Sequence, residues 1–265
     1  MLEVNKIHKE FGGLLAVNDV SFSVGAQEIL AIIGPNGAGK TTIFNLISGI
    51  YPLDSGDIRL RGQPITGLLP SVIALKGLAR TFQNLQIFGN MTVLENIMVG
   101  RHTQTRTGML AAALRWPSAL AEEKRVREEA HHFLEMVGLA DKADAMASAL
   151  SFGQQRLVEI ARSLAMEPQL LMLDEPAAGL VTQEVEALVE LIRRIRDQGV
   201  AVLLVEHDMD MVMTVADRIV VLHYGQKLAE GAPAEIQSND EVIRAYLGDE
   251  SVWDLSHLLE ETPHA

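Results

Sequence analysis

The stretch GPNGAGKTT, residues 34–42, follows the apolar run ILAII and precedes a segment with apolar residues at Ile43, Phe44, Leu46 and Ile47. A buried strand, a glycine-rich turn and an amphipathic helix in that order leave few folds open to the chain. Gly34, Gly39, Lys40 and Thr41 satisfy the spacing G-x-x-x-x-G-K-[ST]. The glycines let the backbone curl until successive N–H groups point inward at phosphate oxygens. The helix that follows offers its positive end to the same anion. Lys40 has the reach to meet the β- and γ-phosphates of a nucleotide, and the Thr41 hydroxyl can ligate Mg²⁺. Asn36, Gly37, Ala38, Gly39, Lys40, Thr41 and Thr42 are therefore the expected phosphate-binding residues.

Two further sites follow apolar runs. LLMLDE places Asp174 at the end of a strand, where an α/β sheet presents its ligands. A carboxylate there can hold Mg²⁺, directly or through water. Glu175, adjacent, can polarise a water for in-line attack on a phosphate. His207 follows the run VAVLLVE and can donate a hydrogen bond to a γ-phosphate. The other histidines lack metal-ligand spacing and read as surface or packing residues.

The rest of the chain alternates strand and helix signals, with one interruption. LEVNKI, VSFSV, EILAII, GLARTF, QLLMLD and GVAVLLVEH read as strands, and RIVVLHYG with QKLAEG reads as a closing hairpin. From residue 92 to residue 168 almost all signals are helical. There LAEEKRVREEAHHFLEMVGL sets Val126, Ala130, Phe133, Leu134 and Val137 on one face and charge on the other. QEVEALVELIRRIRDQG is a second amphipathic helix, with Val185, Leu188, Ile192 and Ile195 on its apolar face. The order predicts an α/β nucleotide-binding core interrupted by a helical subdomain. The expected divisions are 1–91, the N-terminal β subdomain and first part of the core; 92–168, the helical subdomain; 169–248, the second part of the core; and 249–265, an acidic tail.

Composition excludes several classes. The net charge of −13 argues against nonspecific nucleic-acid binding, which needs basic surface. With no cysteine there are no disulfides or thiolate metal sites. No apolar run approaches the roughly 18 residues of a membrane-spanning helix, and MLEVNKIHKEF lacks the pattern of a signal peptide.

SFGQQRLVEIARSLAMEP, residues 151–168, resembles the signature peptide and following helix of the ATP-binding cassette (ABC) ATPases, with Ser151, Gly153 and Gln154 matching and Phe152 replacing the usual second residue. The physical reading agrees, because a serine and a glycine at a helix start form an anion site. The resemblance implies a P-loop NTPase fold of the ABC type, with an N-terminal antiparallel β subdomain and an inserted helical subdomain. It implies ATP hydrolysis with Mg²⁺ between two cassettes paired head to tail, each lending its signature segment to the other's ATP. Position by position, it implies that Phe11 stacks on adenine, Val17 lines the base pocket, Gln83 contacts Mg²⁺ or water, and His207 is the switch histidine. NLQIFGNMTVLENI is implied to receive the coupling helix of a membrane subunit.

EFGGLLAVNDVSFSV, RTFQNLQIFGNMTVLENI, LDEPAAGL, VEHDMDMV and VIRAYLG narrow the likeness to the ATP-binding subunits of bacterial branched-chain amino acid importers. That implies a place at the cytoplasmic face of the inner membrane, with a second ATPase subunit, two permease subunits and a periplasmic solute-binding protein. Val181 departs from the pattern, since the family carries Asp or Asn there to help two ATP sites communicate, and Val181 has no acceptor. Other readings stay open at this point: the ATPase of a urea importer or a lipopolysaccharide exporter, a non-transport ABC ATPase, or a subunit that holds ATP without hydrolysing it.

Overall fold

In the computed structural model, which describes residues 1–104 and 117–247, the chain builds two sheets. Strands β1 (Leu2–Phe11) and β2 (Leu14–Val24) pair antiparallel, and β3 (Ile29–Ile33) leads into helix α1 (Lys40–Ile47). Strands β4 (Ser55–Leu60) and β5 (Gln63–Pro64) complete a four-stranded antiparallel sheet in the order β2-β1-β4-β5. Helix α2 (Pro70–Leu75) then returns the chain to β6 (Leu78–Arg80).

Helices α3 (Val93–Gly100), α4 (Pro117–Met136) and α5 (Phe152–Leu164) follow, before the chain re-enters the larger sheet as β7 (Leu170–Asp174). After β7 come α6 (Thr182–Asp197), β8 (Ala201–Val205), α7 (Met209–Val215) and the hairpin of β9 (Arg218–His223) and β10 (Gln226–Gly231). Two short helices, α8 (Pro233–Gln237) and α9 (Asp240–Leu247), end the described chain. The larger sheet has the order β10-β9-β3-β8-β7-β6 and is parallel except for β10.

Every residue of β3, β7 and β8 is buried, as continuous apolar runs in a sheet covered on both faces require. Successive side chains point to opposite faces and so divide between two cores. Ile29, Ala31 and Ile33 join Leu171, Leu173 and the helices α3 to α7; Leu30 and Ile32 join Phe44, Met172 and the antiparallel sheet. The carboxyl ends of β3, β7 and β8 thus lie side by side, which is where such sheets bind ligands.

Helices α3, α4 and α5 lie between β6 and β7. On α4, Val126, Ala130 and Leu134 are buried and Phe133 half-buried, and Val137, one residue past its end, is buried too, as the periodicity predicts. Three differences from the sequence reading have local causes. GLARTF is strand only to Arg80, because Arg156 donates to the Phe82 and Gln83 carbonyls (3.0 and 3.2 Å) and turns the chain toward α5. Strand β2 begins at Leu14 rather than Val20; Leu14 and Leu15 are exposed, so no burial alternation marks its start. Helices α2, α7, α8 and α9 are short and carried no legible period. The acidic tail, 249–265, lies outside the described residues, as do residues 105–116. Among the described residues no helix is long and apolar enough to cross a membrane.

Candidate functional site

The glycine loop is wedged between two neighbours. Gly39 has φ 102°, and a Cβ there would lie 2.6 Å from the Ala16 carbonyl oxygen; one on Gly34 would lie 2.3 Å from that of Leu222. Neither position admits another residue without moving backbone. Ala38 is buried behind the loop, while Asn36, Gly37 and Thr41 are exposed and Thr42 half-buried. Helix α1 starts at Lys40 with no side-chain cap and no acidic residue in its first turn. Its first N–H groups and positive end therefore face the loop without a competing carboxylate. The buried Lys40 ammonium donates to the carbonyls of Gly34 (2.5 Å) and Pro35 (3.0 Å). Burial pulls its pKa below the ordinary lysine value, against the attraction of Glu175 and Asp174.

Three elements brace the loop. Val17 is fully buried; its side chain lies 3.6 Å from the Cβ position of Gly39, so it backs the loop and presents no open surface. The turn after β9 is stitched on by Gly225 N–H to the Ala38 carbonyl (3.1 Å) and Asn18 N–H to the Gly225 carbonyl (2.7 Å). From α9, the buried Tyr246 phenol takes a hydrogen bond from the Gly34 backbone N–H. Phe11, by contrast, is 40% exposed and meets Tyr51 edge-on at 5.2 Å. An open ring at that place is available for stacking.

Asp174 ends β7 and is buried; its Oδ2 accepts from Arg80 at 2.8 Å. Burial raises its pKa, and Arg80 opposes that rise. Glu175 follows in a left-handed backbone conformation (φ 47°), a strained choice for a non-glycine residue that clusters at functional sites. Its N–H donates to the Val205 carbonyl (2.9 Å), which locks the turn to the neighbouring strand. Gln83 Nε2 donates to Glu175 Oε2 at 2.9 Å, and His207 Nδ1 lies 4.0 Å from the same oxygen. The residues expected from three separate motifs thus converge on one carboxylate.

The signature residues stand apart from this cluster. Ser151 caps α5: its hydroxyl accepts from Gln154 N–H (3.3 Å), and Gln154 Oε1 accepts from Ser151 N–H (3.2 Å). Ser151 and Phe152 are exposed at the helix start, while Gly153 is buried against the Glu184 carboxylate of α6. Phe152 packs beside Gly179, in the loop after Glu175. Val181, 64% exposed, occupies the N-cap of α6 with no side-chain acceptor to offer.

Several residues with evident roles here escape a sequence reading. Arg80 braces Asp174. Glu206, fully buried, accepts from the N–H groups of Ala177 (2.7 Å) and His207 (3.0 Å), joining the loop after Glu175 to the histidine; burial raises its pKa against those donors. Its signal was available, since it ends VAVLLVE as Asp174 ends LLMLD. Arg156 and Tyr246 carried none.

No three-residue cluster of His, Asp, Glu or Cys suited to a metal occurs among the described residues. The available donors are the exposed Thr41 hydroxyl, the Asp174 carboxylate and the Gln83 amide. That is an all-oxygen set, and it suits a hard cation that draws its remaining ligands from phosphate and water.

The profile of the ABC transporter family matches residues 17–178, and that described as "Branched-chain amino acid ATP-binding cassette transporter" matches residues 226–252. The high-affinity branched-chain amino acid transport ATP-binding protein LivG of Escherichia coli is 46% identical over 250 residues, covering 94% of this chain and 98% of that protein. BraF of Pseudomonas aeruginosa, which carries the same description, is 47% identical over 250 residues with the same coverage, 94% and 98%. Among solved structures, a nucleotide-free ATP-binding cassette from an ABC transporter superposes with a TM-score of 0.82 at 33% identity, covering 94% of this chain and 99% of that one.

Proposed function

The chain belongs to the ABC transporter family as an ATP-binding, ATP-hydrolysing subunit, and from that premise we propose that it powers the import of branched-chain amino acids. The observation that supports hydrolysis most is the convergence of Gln83, Glu175 and His207 beside a buried Lys40. The support for the solute is the similarity to LivG and BraF and the match of residues 226–252.

The phosphate loop and the N-terminus of α1 bind the triphosphate, with the Lys40 ammonium leaving the Gly34 and Pro35 carbonyls for phosphate oxygens. Thr41, Asp174 and Gln83 would hold Mg²⁺, which supplies positive charge to those oxygens. Glu175 orients a water and takes its proton as the water oxygen bonds to the γ-phosphorus; the bond to the β,γ-bridging oxygen breaks and ADP leaves. Gln83 fixes the Glu175 carboxylate through their hydrogen bond. His207 donates to the γ-phosphate, and Phe11 stacks on the base.

The second half of the pocket comes from another cassette. Ser151 and the exposed start of α5 make an anion site of hydroxyl and N–H groups, hydrogen-bonded within their own helix and open outward. We assign that site to the γ-phosphate held by a related partner subunit. ATP then stabilises the closed pair, and loss of the γ-phosphate releases it. Phe88, 44% exposed, lies within the segment after Gln83, and Met146, 44% exposed, is bridged to it at Thr92; we assign this surface to contact with one of two permease subunits at the cytoplasmic face of the membrane.

Reconstitution tests this reading. With the permease pair and the solute-binding protein in vesicles, leucine, isoleucine or valine should raise ATP turnover. Stimulation by urea but by none of these would overturn the solute assignment.

A further inference from the structure

Arg80 lies among three parts of the molecule that the proposed chemistry treats separately: β7, α1 and the loop after β6. Its guanidinium donates to Asp174 Oδ2 (2.8 Å) on β7, and to Asn45 Oδ1 and Ser48 Oγ (both 2.8 Å) at the end of α1. The same group lies 5.4 Å from the ring centre of Phe44 on α1 and 5.1 Å from that of Phe82 in the loop after β6. Its side chain is 6% exposed, and that of Asp174 3%. Phe82 is 42% exposed, so its ring rests on the guanidinium rather than in a core. Gln83 is the next residue, bonded to Glu175.

We propose that Arg80 is a positioning residue that relays the placement of the Phe82–Gln83 loop to the carboxylate of Asp174. The relay has a physical basis in the shape of the guanidinium. A planar fork bonded to two elements and stacked by a ring from a third cannot tilt without turning the carboxylate it holds. A displacement of Phe82 is therefore felt at Asp174, and a displacement of Asp174 at Phe82. A lysine would keep the charge, but its single ammonium would lose the stacked plane and the fixed angle. A pair present only for stability has no need of a half-exposed ring lying on it. An apolar pair of similar volume would also fill the site.

The inference rests on the ATP reading, because Asp174 matters there as a nucleotide-site residue. Its test uses the full chain and a fluorescent ATP analogue, with affinity measured in MgCl₂ and in EDTA. The ratio of the two isolates the Mg²⁺-dependent part of binding from the phosphate loop itself. Phe82→Leu should change that ratio by about threefold or more, within the range of coupling seen between contacting residues, and leave the EDTA affinity within about twofold. In an Arg80→Lys background, Phe82→Leu should change the ratio no further. Equal effects of Phe82→Leu in both backgrounds would overturn the relay. A second arm needs neither nucleotide nor an Arg80 variant. Asp174→Asn should speed hydrogen exchange in the peptide covering residues 82–87, and unchanged exchange there would also overturn it. Failure of the wild-type chain to bind the analogue would instead sink the ATP reading, while the exchange arm would still decide the relay.

Discussion

Glu175 holds a left-handed backbone, and its carboxylate receives Gln83. A side chain so placed is set for one task, and removing its basicity should leave the rest intact. Glu175→Gln is expected to retain ATP binding and lower turnover by about 10²- to 10⁴-fold, the usual contribution of a positioned base. Radiolabelled ATP binding and phosphate release on one preparation check both halves, and a wild-type rate would remove Glu175 as the base. Arg80 makes a prediction of another kind. Arg80→Met strands a buried carboxylate, and breaking a buried pair in this way costs about 3–5 kcal/mol. Urea unfolding measures it, and a loss under 1 kcal/mol, the size of a typical surface pair, would mean that Asp174 finds another partner or water.

Among elements, the sequence is most legible where function is local. Lys40, Asp174, Glu175 and His207 each follow an apolar strand within a few residues, so spacing alone places them at one end of the sheet. Gln83 depended on family likeness. Arg80 was not legible, because its role comes from Asn45, Ser48 and Asp174, which the fold alone brings together. Tyr246 was hidden for the same reason: the last helix reaches back to the first glycine of the loop. Tyr246→Phe keeps the ring and loses the hydrogen bond, so a destabilisation of about 1 kcal/mol is expected, together with weaker nucleotide binding. Equal affinity in the variant would show that α9 does not brace the loop. At the far end of β3, Glu28 joins Gly25, Arg218 and β9. Burial, the largest single influence, pushes its carboxyl up, but hydrogen bonds from Arg218 and the Gly25 N–H outweigh it and leave the pKa lowered. Its stabilising contribution is therefore present above the ordinary value of 4.5 and lost as pH falls through the lowered folded value. The gap in urea midpoint between wild type and Glu28→Gln should narrow on acidification; a gap that widens would contradict the sign.

At the scale of the whole molecule, the Glu175 carboxylate and Ser151, the two residues to which the proposed reaction gives the base and the trans contact, belong to different bodies of helix and sheet. The two are tied through Arg156, which is bonded to the Phe82 and Gln83 carbonyls, and through Phe152 beside Gly179. Val181 sits where the paired cassettes are proposed to communicate. Val181→Asp supplies an N-cap acceptor and should stabilise the chain by about 0.5–2 kcal/mol. It should also change the Hill coefficient for ATP in the assembled transporter, and an unchanged coefficient would clear Val181 of any part in coupling. The pairing itself is tested most directly with Ser151→Asp, which keeps a good helix cap but sets a negative charge where the partner's γ-phosphate is expected. Turnover by the assembled transporter and nucleotide binding by the isolated chain are measured side by side. The expected result is turnover reduced by about tenfold or more, the scale of losing one transition-state donor, with nucleotide binding by the isolated chain unchanged. The contrary result is lost binding in the isolated chain, or full turnover in the assembly, either of which would mean that Ser151 does not complete a neighbour's ATP site.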